Sequence, residues 1–234
     1  MKSLKEIIEE SKYIVFFGGA GVSTASNIPD FRSQDGLYNL KYKYPPEEII
    51  SHSFFMEHTV EFYQFYKDKM VYPDAKPNIA HIKLAELEKK GKLKAIITQN
   101  IDNLHQLAGS KNVIELHGNI YRNYCMKCHK EYDIDYILNS EGVPKCQCGG
   151  IIKPDVVLYE EILSQESLAN AINEIRKSDT LIVAGTSLTV YPAASLIRYF
   201  IGQNLVIINK EKTPFDAYAD LVIHEPIEKV FSEI

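Results

Sequence analysis

One stretch constrains this chain more than any other: Phe16 to Tyr38, FFGGAGVSTASNIPDFRSQDGLY. It opens as a strand. Tyr13, Ile14, Val15, Phe16 and Phe17 form an apolar, partly β-branched run, as in a strand buried on both faces. Gly18, Gly19, Ala20 and Gly21 follow at once. Glycines directly after such a strand let the backbone turn tightly and approach a pyrophosphate. The N–H groups of the turn and of the next helix can then hold that charge. Against the dinucleotide fingerprint G-x-G-x-x-G, Gly19 and Gly21 fit, but the third position is Thr24. No crossover helix follows, because Asn27-Ile28-Pro29-Asp30-Phe31-Arg32-Ser33 is too rich in turn formers. A tight turn without a ligand would explain G-x-G alone. It has no need of the sequel Pro29-Asp30-Phe31-Arg32, which places an aromatic ring and a cation on a loop.

The rest of the chain repeats the strand–loop–helix pattern. Residues 3 to 12 read as a short amphipathic helix with Leu4, Ile7 and Ile8 on one face. Residues 39 to 75 contain no clear strand; Ile49, Ile50, Phe54, Phe55, Phe62, Phe65 and Tyr66 are spaced as in helices. A helix starts at Pro77-Asn78, buries Ile79, Ile82, Leu84 and Leu87, and stops at Gly91. Lys94 to Thr98 is a strand, with Gln99, Asn100, Ile101, Asp102 and Asn103 at its carboxyl end, where ligands bind in open α/β sheets. Helix capping by Asn100 or Asp102 is the plainer alternative. Val113 to Leu116 is a strand ending in His117-Gly118-Asn119. Pro154 to Tyr159 is extended, 165 to 177 helical, and Thr180 to Ala184 a strand followed by Gly185-Thr186-Ser187. Pro192 to Phe200 is helical, Leu205 to Ile208 a strand ending in Asn209, and Leu221 to Ile223 a last short strand. Almost continuously apolar strands alternating with helices predict a parallel, doubly wound, Rossmann-like sheet. The expected division is a large part, 1–34, 76–117 and 156–234, and a small module, 35–75 (helical) and 118–155. The cleft between them is the default ligand site.

Cysteine spacing makes a second strong motif. Cys125-x-x-Cys128 and Cys146-x-Cys148 have seventeen residues between them. Two close pairs offer four thiolates to one tetrahedral zinc, and four protein ligands make a closed, structural site rather than an open catalytic one. His129 is an alternative ligand, and the single spacer in the second pair tightens that turn. The N-terminal MKSLKEIIEESK has charges throughout and no apolar core of signal-peptide length, and no run approaches a membrane span. A cytoplasmic protein is therefore expected. Net charge of −5 gives no overall basicity to suggest nucleic acid.

These motifs closely resemble the sirtuin family, the NAD-dependent protein-lysine deacylases, in its short bacterial-type form. The family signature stands here as Gly19-Ala20-Gly21-Val22-Ser23 and Ile28-Pro29-Asp30-Phe31-Arg32-Ser33. The match continues in order through Thr98-Gln99-Asn100-Ile101-Asp102, His117-Gly118, the four cysteines, Pro154 with Val156-Val157, Gly185-Thr186-Ser187 and Asn209.

The resemblance implies an NAD-dependent protein deacetylase, with NAD as co-substrate and one structural zinc held by Cys125, Cys128, Cys146 and Cys148. Gly19, Ala20, Gly21, Thr24, Phe31 and Arg32 would meet the pyrophosphate and nicotinamide ribose. Gln99, Ile101 and Asp102 would bind the nicotinamide side, and Asn100 would order the ribose region. Gly185, Thr186, Ser187 and Asn209 would hold the adenosine half, with main chain near Ile227 at the adenine. His117 resembles the general base, with Asn100 and Asp102 beside it in catalysis. Val156, Val157, Leu158 and Tyr159 resemble the strand that pairs with the substrate peptide. The acyl-lysine amide oxygen would attack the nicotinamide ribose, giving free lysine, nicotinamide and O-acetyl-ADP-ribose. The implied partners are acetylated-lysine proteins or peptides, taken by a monomer.

Two departures matter. The family's F-G-E is Tyr159-Glu160-Glu161 here, with glutamate in place of a glycine. A positive φ there would carry strain, and a carboxylate at the peptide groove would favour basic peptides. Members that remove succinyl or malonyl groups resemble Tyr-x-x-Arg in the helical module, whereas Tyr63 here is followed by Tyr66. Without the arginine's bidentate contact, acetyl and neutral acyls are expected over succinyl.

Three rival readings remain open at this point. A dehydrogenase would need the third glycine and a ribose acid. An ADP-ribosyltransferase would use the same cleft. A zinc-ribbon binding module would not need His117.

Overall fold

The computed structural model describes residues 2–31, 36–37 and 43–234. Arg32 and Ser33 of the signature, and Tyr38, lie outside the described residues.

Six parallel strands form the main sheet: β1 (Ile14–Gly18), β2 (Leu93–Thr98), β3 (Val113–Glu115), β7 (Thr180–Ala184), β8 (Asn204–Ile208) and β9 (Leu221–Ile223). Their order is β3-β2-β1-β7-β8-β9. The order reverses between β1 and β7, and a crevice opens at the carboxyl ends of strands at such a switch point. The five residues of β1 are all buried, as their unbroken apolar run predicts. Alternate side chains divide between the faces. Ile14 and Phe16 join Ile96, Ile182 and Val206 on one side, with Leu84 of α5 (Ile79–Lys89) and Phe231 of α9 (Ile227–Ser232). Val15 and Phe17 join Ile97, Leu181 and Val183 on the other, with Ala171 and Ile175 of α8 (Gln165–Lys177).

The helix ends follow local chemistry. α1 (Leu4–Glu10) begins with a capping box in which the Ser3 hydroxyl accepts from the Glu6 N–H (3.3 Å) and the Glu6 carboxylate accepts from the Ser3 N–H (2.7 Å). The Asn78 side chain caps α5, and Gly91 (φ +70°) follows its end.

Residues 192–200 are helical as expected, and the helix is of 3₁₀ type, Ala193–Tyr199. The Ser195 hydroxyl donates to the Pro192 carbonyl (2.6 Å), as does the Ser195 N–H (3.0 Å), so that carbonyl is engaged from three residues away. The glycine loop also leads into two 3₁₀ turns, Ala20–Val22 and Thr24–Ser26, rather than into a long helix.

The second body of structure is smaller. Helices α2 (Pro46–Ile49), α3 (His52–Glu57) and α4 (Thr59–Lys69) pack their aromatics against an antiparallel sheet of order β5-β4-β6. Its strands are β4 (Gly118–Cys125), β5 (Glu131–Tyr132) and β6 (Ile152–Val156), with α7 (Ile134–Asn139) between the last two. Phe55, Phe62, Tyr63 and Tyr66 form its core with Ile120, Ile152 and Val156. β6 ends at Val156, earlier than expected. Beyond it the Val157 N–H donates to the His117 carbonyl, the Tyr159 N–H to the Ile50 carbonyl and the His52 N–H to the Tyr159 carbonyl (3.0 Å each).

Candidate active site

A cavity of about 410 Å³ lies between the two bodies, over the β1–β7 switch point. Its floor is backbone packed on backbone. The Gly19 N–H donates to the Ala184 carbonyl (3.1 Å) and the Gly21 N–H to the Gly185 carbonyl (2.8 Å). A Cβ on Gly19 would stand 2.7 Å from the Thr186 Cβ, and one on Gly21 2.8 Å from the Gly185 Cα. Gly185 itself has φ +59°, and a Cβ there would meet the Val22 nitrogen at 2.5 Å. The glycines are required because two loops cross here at van der Waals distance, leaving main-chain groups to face the cavity. Gly19, Ala20, Gly21, Thr24, Gly185, Thr186 and Ser187 all line it, with Asn209 and Ile227 at the far end.

One wall is the turn after β2. The Asn100 N–H donates to the Thr98 hydroxyl (3.0 Å), and Asp102 Oδ1 accepts from the Leu104 N–H (2.9 Å), a turn that leads into α6 (Leu104–Leu107). The N-cap of α6 is Asn103, without a side-chain capping bond, and the Leu104 contact uses only one oxygen of Asp102. The other accepts from the Ser23 hydroxyl (2.6 Å), which in turn accepts from Asn100 Nδ2 (3.0 Å). Burial pushes the Asp102 carboxyl above its ordinary pKa, while the Ser23 and Leu104 hydrogen bonds oppose the rise. Ser23 escaped the candidate residues, although it closes the Gly19-Ala20-Gly21-Val22-Ser23 signature. A lone serine carries no spacing signal, and only the fold brings it to Asp102. Gln99 Nε2 donates to the Thr186 hydroxyl (3.1 Å), tying this wall to the floor.

His117 follows β3 and stands on the same wall. Its Nδ1 lies 2.9 Å from the Gln99 carbonyl, a pure acceptor, so Nδ1 carries the proton and Nε2 is the basic nitrogen. Burial holds the imidazole below its ordinary pKa, and the Gln99 carbonyl opposes this. The ring is therefore neutral at pH 7. The His117 carbonyl accepts from the Val157 N–H (3.0 Å), which carries the extended segment Val156, Val157, Leu158 and Tyr159 into the cavity wall. Ile101 and Phe31 also line the cavity and pack against the aromatic core. The fold thus gathers every candidate cleft residue into one cavity except Arg32, which lies outside the described residues.

The four cysteines converge at the far end of β4. Their Sγ atoms all lie within 4.8 Å of one another, with Cys125–Cys148 and Cys128–Cys146 at 3.5 Å. Zinc–sulfur bonds of about 2.3 Å in a tetrahedron put sulfurs a little under 4 Å apart, so the set fits a closed zinc site. The one-residue spacer is accommodated because Gly149 takes φ +80° and donates to the Cys146 carbonyl (2.8 Å). Gly150 passes so close that a Cβ would stand 2.7 Å from the Cys125 Sγ.

A glycine floor, a buried neutral histidine and a four-thiolate cluster agree with what comparison shows. The Sir2 family model matches residues 19–192. This chain belongs to the Sir2 family. It is 63% identical, over 100% of its length and 96% of the relative's, to the NAD-dependent protein deacetylase of Clostridium tetani. It is 60% identical to that of Clostridium acetobutylicum, over 100% and 97%. The solved structure described as Sir2 bound to acetylated peptide superposes with a TM-score of 0.88 at 42% identity, over 99% of this chain and 97% of that one. The structure described as Sir2-p53 peptide-NAD+ gives 0.88 at 43%, over 100% and 97%.

Two departures of this Sir2 chain resolve in the structure. Glu160 has φ +74°, the left-handed conformation that favours the family's glycine. Its carboxylate does not stand free for a peptide; it accepts from the Ser53 N–H (2.8 Å) and hydroxyl (3.0 Å) in the first turn of α3. The expected pull on basic peptides is weakened accordingly. Tyr63 and Tyr66 are buried in the aromatic core and do not line the cavity; the Tyr63 phenol donates to the Ile152 carbonyl. The α4 end of the wall is instead Lys69, Met70 and Tyr72, and Lys69 pairs with Asp68 (3.1 Å). Sequence spacing placed the tyrosines on α4 but not the direction they face.

Proposed function

We propose that this cavity binds NAD and an acetylated-lysine peptide and carries NAD-dependent protein-lysine deacetylation. The observation that carries the reading is His117: buried, neutral, its Nδ1 committed to the Gln99 carbonyl, and its Nε2 basic on the cavity wall. NAD bound here supplies an activated ribose carbon with nicotinamide as leaving group. The main-chain groups of Gly19, Ala20 and Gly21, with Thr24 and Phe31, hold its pyrophosphate and ribose, joined by Arg32 of the signature. Gln99, Ile101 and Asp102 orient the nicotinamide side. Asn100 is set by Ser23 to order the ribose region. Gly185, Thr186, Ser187, Asn209 and Ile227 receive the adenosine half.

Val156 to Tyr159 offers its backbone edge to the peptide. His117 Nε2 takes a ribose hydroxyl proton, a base role typically worth about 10²–10⁴ in rate. One water is consumed as the amide C–N bond breaks, and the products are free lysine, nicotinamide and O-acetyl-ADP-ribose. The Cys125, Cys128, Cys146 and Cys148 cluster holds zinc with no open position, so the metal supports the β4–β6 sheet rather than the reaction.

The division read here is a large part, 1–34, 76–117 and 156–234, and a small module, 35–75 and 118–155. Net charge of −5 argues against nucleic acid, and four unpaired cysteines fit a reducing cytoplasm. Among the described residues no helix is long and apolar enough to cross a membrane.

The test is nicotinamide release from NAD by purified protein, with and without an acetyl-lysine peptide, beside His117→Ala. Peptide-dependent release matched by deacetylation, and lost in the variant, is the expected result. Release without deacetylation, with label from NAD left on protein, would instead support ADP-ribose transfer.

A further inference from the structure

Behind the cleft, away from the cavity, one network of charged and amide side chains joins the three segments that line it. Glu115 ends β3, two residues before His117. Its Oε1 accepts from Gln106 Nε2 of α6 (2.7 Å) and from Asn119 Nδ2 (2.5 Å). Its Oε2 accepts from Arg122 Nη2 (2.7 Å). Arg122 Nε donates in turn to Asp155 Oδ2 (2.8 Å), one residue before Val156 and the extended segment. Asn119 Nδ2 also reaches Asn103 Oδ1 (3.0 Å), the residue after Asp102. The Asp102 turn, the His117 strand end and the Val156 segment are thus wired to one guanidinium and two carboxylates.

Arg122 reaches this place through an irregularity. β4 and β6 pair at Asn119–Asp155 and resume at Asn123–Pro154, so three residues of β4 oppose none of β6. A bulge of this kind bends the strand and re-aims its side chains. Gly118, at the same corner, has φ +77°, and a Cβ there would stand 1.8 Å from the Asp155 carbonyl oxygen. The corner is built for close approach, and Arg122 clamps it.

Magnitudes separate a positioning role from a purely stabilising one. The Arg122 and Asp155 side chains are 38% and 39% exposed, and an ion pair at that exposure adds little stability; Glu115 is more buried, but it keeps its Gln106 and Asn119 donors when Arg122 is removed. The sheet already has its ladder and thiolate cluster. A geometric error, by contrast, is costly, since about 1 Å of misplacement can lower a rate by about 10²-fold.

We propose that Arg122, acting through Glu115 and Asp155, is a positioning residue for deacetylation: it sets His117 in register with the Asp102–Asn103 turn and with the segment beginning at Val156. The inference rests on the reading of the cleft given above.

The experiment uses the full zinc-loaded chain with Arg122→Leu, Arg122→Lys and Glu115→Gln. It measures kcat, KM for NAD, KM for an acetyl-lysine peptide, bound zinc and the urea midpoint. Arg122→Leu is expected to lower kcat by about 10- to 100-fold. KM for NAD should hold, because the glycine floor is untouched, and zinc content and midpoint should stay near wild type. Arg122→Lys should recover only part of kcat, since an ammonium lacks the planar fork that spans two carboxylates. A kcat within about twofold of wild type, or one that falls only with the folded fraction, overturns the proposal. Should Arg122→Leu fail to fold, Arg122→Lys and the paired Glu115→Gln/Arg122→Met carry the test, and wild-type kcat in either overturns it. An inactive wild type, or an active His117→Ala, would sink the reading of the cleft. An active wild type with inactive His117→Ala and fully active Arg122→Leu would sink the positioning role alone.

Discussion

The floor of the cleft and the wall proposed to face the peptide are built by opposite means. The floor is main chain on main chain. Gly19, Gly21 and Gly185 cross at the end of two fully buried parallel strands, where Gly21 and Gly185 meet backbone atoms alone. The wall is held by side chains: Ser53 under Glu160, Arg122 between Glu115 and Asp155, and four cysteines at the end of a short antiparallel sheet. A phosphate-binding surface needs fixed N–H groups and tolerates little change. A peptide edge needs only an extended backbone, and adjustable side-chain contacts can supply it. The two surfaces should therefore fail differently.

Removing the metal should produce the largest separation. Structural zinc binds with about 10–16 kcal/mol in small zinc domains, far more than the β4–β6 sheet gains from its few ladder bonds. Chelation, or Cys128→Ala, should unfold that sheet while β1, β2, β7 and β8 stay protected. Hydrogen exchange would show this, and uniform loss of protection across both sheets would erase the distinction.

Gly185→Ala attacks the floor. A Cβ at 2.5 Å from the Val22 nitrogen, with φ +59°, must push the two loops apart. NAD affinity should fall by at least about tenfold, with zinc content unchanged, by calorimetric titration. Unaltered NAD binding would mean that the floor is as adjustable as the wall.

Acid should weaken the large sheet through His81. Its side chain is wholly buried on α5, Nε2 has no hydrogen-bond partner, and Nδ1 accepts from the Asn78 N–H (3.3 Å). Burial lowers its pKa to about 4. Below pH 6.5 the unfolded chain takes up a proton that the folded chain refuses until about pH 4. Stability is therefore retained above pH 6.5 and falls between 6.5 and 4, by about 3 kcal/mol in all. Neighbouring His105, also forced down by burial, adds to the slope. Urea midpoints across this range should flatten in His81→Phe, and an equal slope in the variant would remove His81 as the cause.

Glu160→Gly should matter least. It relieves a left-handed residue, worth about 1–2 kcal/mol. It also loses the bonds to the first turn of α3, worth about 1 kcal/mol. Stability should shift by no more than about 1 kcal/mol, and flanking-residue preference on peptide arrays should change little. A strong new preference would show that the carboxylate leaves Ser53 for the substrate.

Much of this was legible from residue order because its physics is local or periodic. The apolar run at Tyr13–Phe17, the glycines after it and the paired cysteines each declare a backbone geometry or a ligand set without reference to the rest of the chain. So does the place of His117 at a strand end. Other features were not legible. Ser23 meets Asp102 across 79 positions, Tyr63 and Tyr66 turn into the core instead of the cavity, and residues 193–199 tighten to a 3₁₀ coil. No periodicity encodes these, because each depends on which element packs alongside.

The sequence alone determined the sheet and the pairing of the four cysteines into one cluster, since strand burial, tight turns and thiolate spacing are written into neighbouring positions. Tertiary structure alone decided which oxygen of Asp102 is committed to Ser23 and which nitrogen of His117 keeps its proton. It also decided where the Glu160 carboxylate turns, and that Arg122 spans two sheets from a bulge. These are contacts between residues far apart in the chain. Their energies depend on distance and burial, which exist only once the elements have packed.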